Sequence, residues 1–426
     1  MPPAAAPHAG GRERLPCPQA EHKRLYRTSF TSRHQTGCLF RLLCRSILIG
    51  SINMSAWIDR AAALSQLRVK AQTLYAYVSR GRIRVRPDPA DSRRSLYNAA
   101  DIASMTFRKV RGRSPGRIAA SSMDWGEPAI KTAISSIENG QLRYRGKDAI
   151  AFASAATPEE AAQLLWQCGD TPEFAGRAAR TEQNAFSLLA DRVIRSEPIL
   201  GQDQQHLVRD AAAIIGDLAL VCGAQMGSQP LHQRLAIGWC GGEALAERLR
   251  QALVLMADHD LNASTFAARV AASTGASLPA AVLSGLCTLS GPRHGGAGEA
   301  LQHLLRDARH MGANAAVQQW LLRDRMLPGF GHNLYPEGDP RAAAMLADLE
   351  VDNDMKDLAS AVFDCSGLLP NCDYALAAMA ATHGLPTDAP FRVFLLGRVV
   401  GWCAHVMEQK DDGKLIRPRG RYSDSE

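Results

Sequence analysis

No stretch of this chain holds the roughly 18 consecutive apolar residues that a membrane helix needs. No membrane contact is therefore expected, and the longest apolar runs, such as 213–224 ("AIIGDLALVCGA"), read as buried helices. Aromatic residues make up only 6 % of the 426 positions, and strand-like alternation is as scarce. An alanine-rich, aromatic-poor chain leans towards helix. CxxC is missing among the ten cysteines (17, 38, 44, 168, 222, 240, 287, 365, 372 and 403), which removes a zinc knuckle or a thioredoxin-like pair. Scattered, mostly packed thiols fit a reducing compartment, and the expected location is cytoplasmic. The twelve histidines lack HExxH or a similar ligand spacing, so no metal is expected.

Acidic residues are sparse at the front. Residues 1–53 carry eight Lys/Arg against two Asp/Glu, and residues 54–123 carry fourteen against four. By subtraction, residues 124–426 carry 27 against 36, so the overall charge of +7 hides a basic front and an acidic body. A concentrated basic segment suggests a polyanionic partner.

Residues 1–53 read as an extension without order-forming pattern. They are Arg- and Ser-rich as transit peptides are, but lack a signal-peptide core, and a start at Met54 accounts for them better than a working leader does. Residues 54–106 form a compact unit. "IDRAAALSQLRV" and "KAQTLYAYVSRG" read as two helices, "RIRVRPDPADSRRSLYN" as a hairpin around a Pro/Asp turn, and Asn98 as the cap of a further helix. This order resembles the winged helix-turn-helix head of MerR-like regulators and excisionases. It makes DNA a possible partner: Arg68, Lys70, Arg80, Arg82, Arg84, Arg86, Arg93 and Arg94 would face phosphates, and Thr73, Tyr75 and Tyr77 would line a groove. The alternative is that Leu74, Tyr75 and Val78 are simply the core of a small domain. Residues 107–122 are a basic, Gly/Pro-broken linker. From 123 to 426 long Ala/Leu segments with three- and four-residue spacing alternate with glycine punctuation, which predicts an all-α domain. Thr157 followed by Glu159 and Glu160 marks a helix start, and "GQLRYRG" (140–146) is the best hairpin candidate.

Four segments of this body put polar groups at glycine- or asparagine-marked junctions: "MADHDLNAST" (256–265), "LSGPRHGGAGEA" (289–300), "PGFGHNLYPEGDPRA" (328–342) and "LLPNCDYALAAMA" (368–380). Glycines beside His294 and His332 let a substrate approach the backbone closely. A helix N-terminus near each ring is expected to favour the neutral imidazole, which can donate one hydrogen bond to a developing enolate. Taken singly, His294 or His332 reads as a packed or capping histidine, Asp373 as a helix cap, and Arg398 as an interior arginine paired with an acid. Their joint occurrence points to a site.

"DHDLNAST", "GPRHGGAGEA", "PGFGHNLYPEGDPRA", "PNCDYALA" and "LIRPRGRY" resemble the active-site blocks of the citrate synthase family in their usual order, and "GQLRYRGKDAIAFA" is similar to its entry segment. The resemblance spans roughly residues 125–426. It implies a large and a small helical domain (the small one about 296–385) with the site in the cleft, and a homodimer. It also implies oxaloacetate and an acyl-CoA as substrates, with coenzyme A thioester as co-substrate and no permanently bound cofactor. By the same resemblance Asp373 is the base that takes a proton from the acetyl-CoA methyl. His294 holds the thioester oxygen, and His332 polarises the ketone. His259, Arg341 and Arg398 bind oxaloacetate, Arg417 does so from the neighbouring subunit, and the Gly329-Phe330-Gly331 turn lies along the adenine. The chemistry needs these types. A carboxylate is too weak a base to free a carbanion unless the oxygen is stabilised at the same time, and a dicarboxylate suits several arginines. After His332 the loop carries Asn333, Pro336 and Glu337, where family members often place basic residues.

The expected reaction is condensation of acetyl-CoA with oxaloacetate and water to citrate and CoA. The close variant is a 2-methylcitrate synthase using propionyl-CoA, since one methylene in the acyl pocket is worth only about 1–3 kcal/mol. The third reading is a DNA-binding regulator whose body senses a metabolite.

Overall fold

The computed structural model describes residues 57–102 (less 68, 70, 80–82, 89–90 and 100), 130–177, 183–323 and 326–419. The expected extension (1–53) and basic linker (107–122) lie outside the described residues.

Residues 57–102 build strand β1 (Trp57–Ile58), helices α1 (Arg60–Leu67) and α2 (Ala71–Ser79), and the hairpin β2 (Val85–Asp88) and β3 (Asp91–Asn98). The sheet is antiparallel in the order β1-β3-β2, with Val85 opposite Tyr97 and a shift of register at Pro87/Asp88. Asp59 Oδ1 accepts from Ala62 N at the start of α1, and Asn98 Oδ1 accepts from Asp101 N at 3.1 Å, the capping expected of it. Ala63, Leu67, Leu74, Ile83, Tyr97 and Ile102 form a small core, with Val78 packed against it. Tyr75 is not part of that core: it is half exposed beneath Arg60.

Among the described residues, the three expected phosphate-facing arginines each have a partner within the unit. Arg84 grips Asp101 through both Nε (3.0 Å) and Nη2 (3.1 Å), Arg86 lies 4.6 Å from the Trp57 ring centre, and Arg94 meets Asp91 at 3.4 Å. Arg68, Lys70, Arg80, Arg82 and the Arg93 side chain lie outside the described residues.

The body opens on a three-stranded antiparallel sheet, β4 (Ser135–Glu138), β5 (Gln141–Tyr144) and β6 (Lys147–Asp148). Asn139-Gly140 and Arg145-Gly146 connect the strands with positive φ at both residues, the backbone a two-residue hairpin turn requires. Thirteen helices follow among the described residues: α3 (Ala149–Ala153), α4 (Pro158–Trp166), α5 (Ala185–Arg195), α6 (Gln204–Val221), α7 (Leu231–Gly238), α8 (Glu243–Met256), α9 (Ala263–Ser273), α10 (Leu278–Leu289), α11 (Ala297–Met311), α12 (Ala313–Arg323), α13 (Pro340–Leu346), α14 (Asn353–Ser366) and α15 (Cys372–Thr382); α16 (Ala389–Asp412) closes the fold. The start of α4 carries the predicted signature: Thr157 and Glu160 cap each other reciprocally, with Pro158 at the first helical position. None of these helices is long and apolar enough to cross a membrane.

Two hydrophobic cores organise the body. The larger is built around α16, which is buried on nearly every side and packed by α4, α6, α8, α9 and α10. A helix buried all round needs no amphipathic stripe, which is why the sequence reads apolar there without a clear period. The smaller core joins α11, α12, α14 and part of α15 through Leu301, Leu304, Val317, Leu358, Val362 and Tyr374. Helix α15 serves both cores: Ala375, Leu376 and Met379 pack into the larger, Tyr374 and Ala378 into the smaller. Its first turn therefore opens at the seam between them.

Candidate active site

The segment between α8 and α9 is fixed from three directions. The Tyr144 hydroxyl reaches the carbonyls of Val254 and Leu255, each at 3.0 Å, which seats strand β5 on the end of α8. Asp258, fully buried, accepts at Oδ2 from the Ser135 hydroxyl and from His405 Nε2 at 3.4 Å. Arg269 can only donate, so His405 Nδ1 accepts from it at 2.9 Å and the ring proton sits on Nε2, aimed at Asp258. Burial opposes ionisation of Asp258, but His405, Arg398 and the Ser135 hydroxyl more than offset it and hold the carboxyl below its ordinary value.

This framework presents His259, whose Nε2 lies 2.9 Å from the Tyr335 hydroxyl. The His259 ring meets His332 edge-on at 4.9 Å, and His332 in turn lies 4.9 Å from the Tyr335 ring. Leu334 N donates to His332 Nδ1 at 3.1 Å, which leaves the proton of the neutral ring on Nε2 as a free donor. Burial first, and Arg341 second, push His332 down to about 4; burial and the nearby arginines also hold His259 well below its ordinary value. The expected helix N-terminus is absent at His332: α13 begins eight residues later, at Pro340, and the ring is kept neutral by desolvation and a neighbouring cation instead.

The two buried arginines of the site, Arg341 and Arg398, differ in their partners. Arg341 gives Nε (3.0 Å) and Nη2 (2.7 Å) to Asp339, whose carboxylate also accepts from the backbone of Arg341 and Cys372. Arg398 donates Nε to Met256 O at 2.9 Å and lies 4.8 Å from the Phe394 ring centre, but its buried Nη2 has no hydrogen-bond partner. Gly397 makes that placement possible. A Cβ there would stand 2.7 Å from Met256 Cβ and 2.8 Å from Leu253 O, so only glycine lets α16 close on the end of α8.

His294 sits three residues before α11, as expected of a ring near a helix start. Its Nε2 lies 2.8 Å from Ser264 Oγ, and its ring packs edge-on against Phe394 at 5.9 Å. Burial, then Arg398, push it down to about 4. Ser264 Oγ also lies 2.8 Å from Asn262 Oδ1 and accepts from Trp402 Nε1 at 3.3 Å. The hydroxyl has one proton: given to His294 it puts the ring proton on Nδ1, given to Asn262 it puts it on Nε2.

Asp373 occupies the first turn of α15, where the Asn371 side chain caps the N–H groups of Asp373 (3.0 Å) and Tyr374 (3.4 Å). The Asp373 side chain is partly buried. Burial is the main cause that pushes its carboxyl up to about 6; Asp339 adds to the shift, while Arg341 and Arg398 oppose it. The chain ahead of it is clamped to the His332 loop. Gly331 N donates to Leu369 O (2.8 Å), Asn371 N to Gly329 O (2.9 Å) and Asn371 Nδ2 to Gly331 O (3.1 Å). Gly329 and Gly331 take φ of +83° and +74°, and the Phe330 side chain is buried against Tyr374.

Arg398 is thus close enough to bias the charge of His259, His294 and Asp373, and Arg341 that of His259, His332 and Asp373. Six of the seven expected catalytic and substrate-binding positions converge on one region. Arg417 does not: it is exposed beside Ile416, whose N–H donates to Ser273 Oγ at 3.1 Å. Sequence reasoning passed over Tyr335, Asp339, Ser264, Asn371 and Phe394, although all but Phe394 stand inside the four quoted segments. The arrangement offers one raised carboxylate, neutral imidazole donors and an unsatisfied cation, a set suited to proton abstraction beside an anionic substrate.

Residues 223–419 match the family described as citrate synthase, C-terminal domain, a span that contains all four segments of the site. The chain is 30 % identical over 346 residues to a 2-methylcitrate synthase of Mycobacterium tuberculosis, covering 68 % of this chain and 87 % of the relative. It is 30 % identical over 348 residues to a citrate synthase of Mycolicibacterium smegmatis, covering 68 % and 92 %. The structure of citrate synthase from Thermotoga maritima superposes with a TM-score of 0.59 at 25 % identity, over 71 % of this chain and 96 % of that one. Long matches of this kind, in sequence and in fold, over the region that holds the converging groups mean that the chain belongs to the citrate synthase family of acyltransferase-type condensing enzymes.

Proposed function

We propose that the chain condenses acetyl-CoA with oxaloacetate and water, giving citrate and CoA. The observation that carries this reading is Arg398: a buried guanidinium with an unpartnered Nη2, set between a carboxylate raised to about 6 and two neutral imidazoles. A buried unpaired donor on a cation is costly unless a ligand completes it, and an anion is the ligand that fits.

Oxaloacetate binds with its carboxylates on Arg398 and the remaining Nη1 of Arg341, with His259 and, from a second copy in a homodimer, Arg417. Asp373 takes a proton from the carbon next to the thioester. His294 gives its Nδ1 proton as a hydrogen bond to the thioester oxygen once the Ser264 hydroxyl has turned its proton from Asn262 Oδ1 to the ring's Nε2. The enol carbon attacks the ketone carbon, and His332 delivers its Nε2 proton to the oxygen that becomes a hydroxyl. Water then cleaves the thioester and releases CoA. The backbone of Gly329-Phe330-Gly331 lies along the adenine, since the Phe330 ring itself is engaged in the smaller core. Propionyl-CoA is the second reading, favoured by the 2-methylcitrate synthase relative.

The test is thiol release from acetyl-CoA and from propionyl-CoA with oxaloacetate, in the wild type and in Asp373→Asn. Turnover that Asp373→Asn abolishes supports the enzyme, and the ratio of the two kcat/KM values assigns the acyl group. No turnover, with salt-sensitive DNA binding through residues 54–106 that responds to oxaloacetate, would put the metabolite-sensing regulator in its place.

A further inference from the structure

Tyr335 touches three groups of the site, His259, His332 and Arg341, and the reaction gives it nothing to do. It is 3 % exposed. Its hydroxyl is 2.9 Å from His259 Nε2, its ring leans on His332 at 4.9 Å with a 38° tilt, and Arg341 Cζ lies 5.6 Å from its ring centre. These are three of the groups placed around oxaloacetate above, and the inference rests on that reading.

We infer that the Tyr335 hydroxyl is a built-in placeholder for oxaloacetate: it occupies His259 Nε2 while the site is empty and gives that nitrogen up when the substrate arrives. A buried imidazole nitrogen without a partner is destabilising, so an empty pocket lined with polar groups needs an internal partner for them. Asp339 does this permanently for two nitrogens of Arg341, through two short charged bonds. Tyr335 does it for His259 through a single bond between neutral groups, the kind that exchanges easily. Burial raises the phenol above its ordinary value, so Tyr335 remains a neutral partner throughout the working range. The backbone also suits a side chain that has to yield. Tyr335 lies in a turn outside any helix, between Gly331 and Gly338, whose φ values of +74° and +115° are open chiefly to glycine. Its chain contacts there are two turn bonds, Tyr335 N to His332 O at 3.0 Å and Gly338 N to Tyr335 O at 3.1 Å. The His259–Tyr335 bond joins segments 76 residues apart, so its exchange for substrate also removes one tie between the loop and the α8–α9 segment, leaving the His259–His332 ring contact.

The variant Tyr335→Phe keeps the ring against His332 and removes only the hydroxyl. Because substrate no longer displaces a bond, its oxaloacetate Kd, measured by calorimetry without coenzyme, falls about 3- to 10-fold, the equivalent of one neutral hydrogen bond. The substrate-free protein melts lower than the wild type, and the stabilisation that saturating oxaloacetate gives grows. A merely structural tyrosine would lower the melting temperature without tightening Kd. In the wild type, oxaloacetate produces a tyrosine ultraviolet difference spectrum that Tyr335→Phe lacks. An unchanged or weaker Kd in the variant overturns the placeholder while leaving the condensation reading intact, and so does the absence of the difference spectrum in a wild type that binds. A wild type that neither binds nor turns over oxaloacetate sinks the condensation reading first and the placeholder with it.

Discussion

The arginines of residues 57–102 and those of the site are the same residue type under opposite conditions. Arg84 has 69 % of its side chain in water and nevertheless holds Asp101 through two nitrogens, fork to fork. Arg398 is 1 % exposed and has one nitrogen with no partner at all. A surface guanidinium loses little by pairing and little by not pairing, because water competes on even terms. Deep in the protein the balance is different: an unsatisfied donor on a charged group is strongly unfavourable. The exposed pairs therefore say little about function, whereas the open nitrogen of Arg398 marks where a ligand belongs. Arg341, equally buried, has Nε and Nη2 held by Asp339 and shows the same rule from the other side.

The largest effect that bears on this contrast is at Asp373. Replacing it with asparagine removes the base, and turnover falls by roughly 10²–10⁴ or more, the usual worth of general base catalysis. The fold gains at the same time. The carboxyl is raised from 3.8 to about 6, so its proton is held more tightly in the folded state than in the unfolded one. That contribution is complete below about 4 and is lost as pH rises through 6. At pH 8 the ionised group costs about 2 kcal/mol, a figure reduced because the residue is only partly buried. Asp373→Asn melts higher than the wild type at pH 8, and the difference closes at pH 4. Calorimetric melts at the two pH values, beside the thiol-release assay, check both halves.

Next comes Arg398→Gln. The amide keeps a donor for Met256 O but removes the charge, and the KM for oxaloacetate rises on the order of 10²-fold, as truncation of a buried charged contact does. The KM for the acyl-CoA changes far less. Stability holds or improves, because the orphan cation is gone. Equal loss towards both substrates would break the contrast with Arg84.

The pH profile is a finer probe. The histidines at about 4 are already neutral donors at any working pH, so they set no limb near neutrality. Asp373 at about 6 does: kcat/KM falls about tenfold per pH unit below 6 as the base is protonated, and levels off above 7. An acid limb at 4 instead would mean that the carboxyl is not raised.

Much of the contrast could be read from the chain before any coordinates. His259, His294, His332, Arg341 and Asp373 each stand at a glycine, proline or asparagine break, and such breaks are local. The capping of α4 by Thr157 was legible for the same reason. What the sequence hid is partnership at a distance. Asp339 reads as a plain helix cap, and it is one, accepting from Arg341 N; that it also takes two nitrogens of the Arg341 side chain is a matter of rotamers. Asp258, His405 and Arg269 are separated by up to 147 residues, and no spacing rule links them. The helix start expected at His332 fails because its glycines serve the clamp to residues 369–371 instead. Phe394, which touches both His294 and Arg398, looks like any core residue of an apolar helix.

The smallest effect is the sharpest control on the opening comparison. Arg84 and Asp101 have good geometry, and the arginine holds the carboxyl below its ordinary value even though burial pulls the other way. With most of the arginine in water, the coupling between them is nevertheless only about 0.2–1 kcal/mol. A double-mutant cycle of Arg84→Ala and Asp101→Ala, read by denaturant unfolding of the full chain, measures that coupling directly, and it shrinks further in 1 M salt. Oxaloacetate turnover is untouched in all three variants. A coupling well above this range would mean that the pair is shielded from solvent, and the rule separating the exposed arginines from Arg398 would then rest on burial that the exposed ones share.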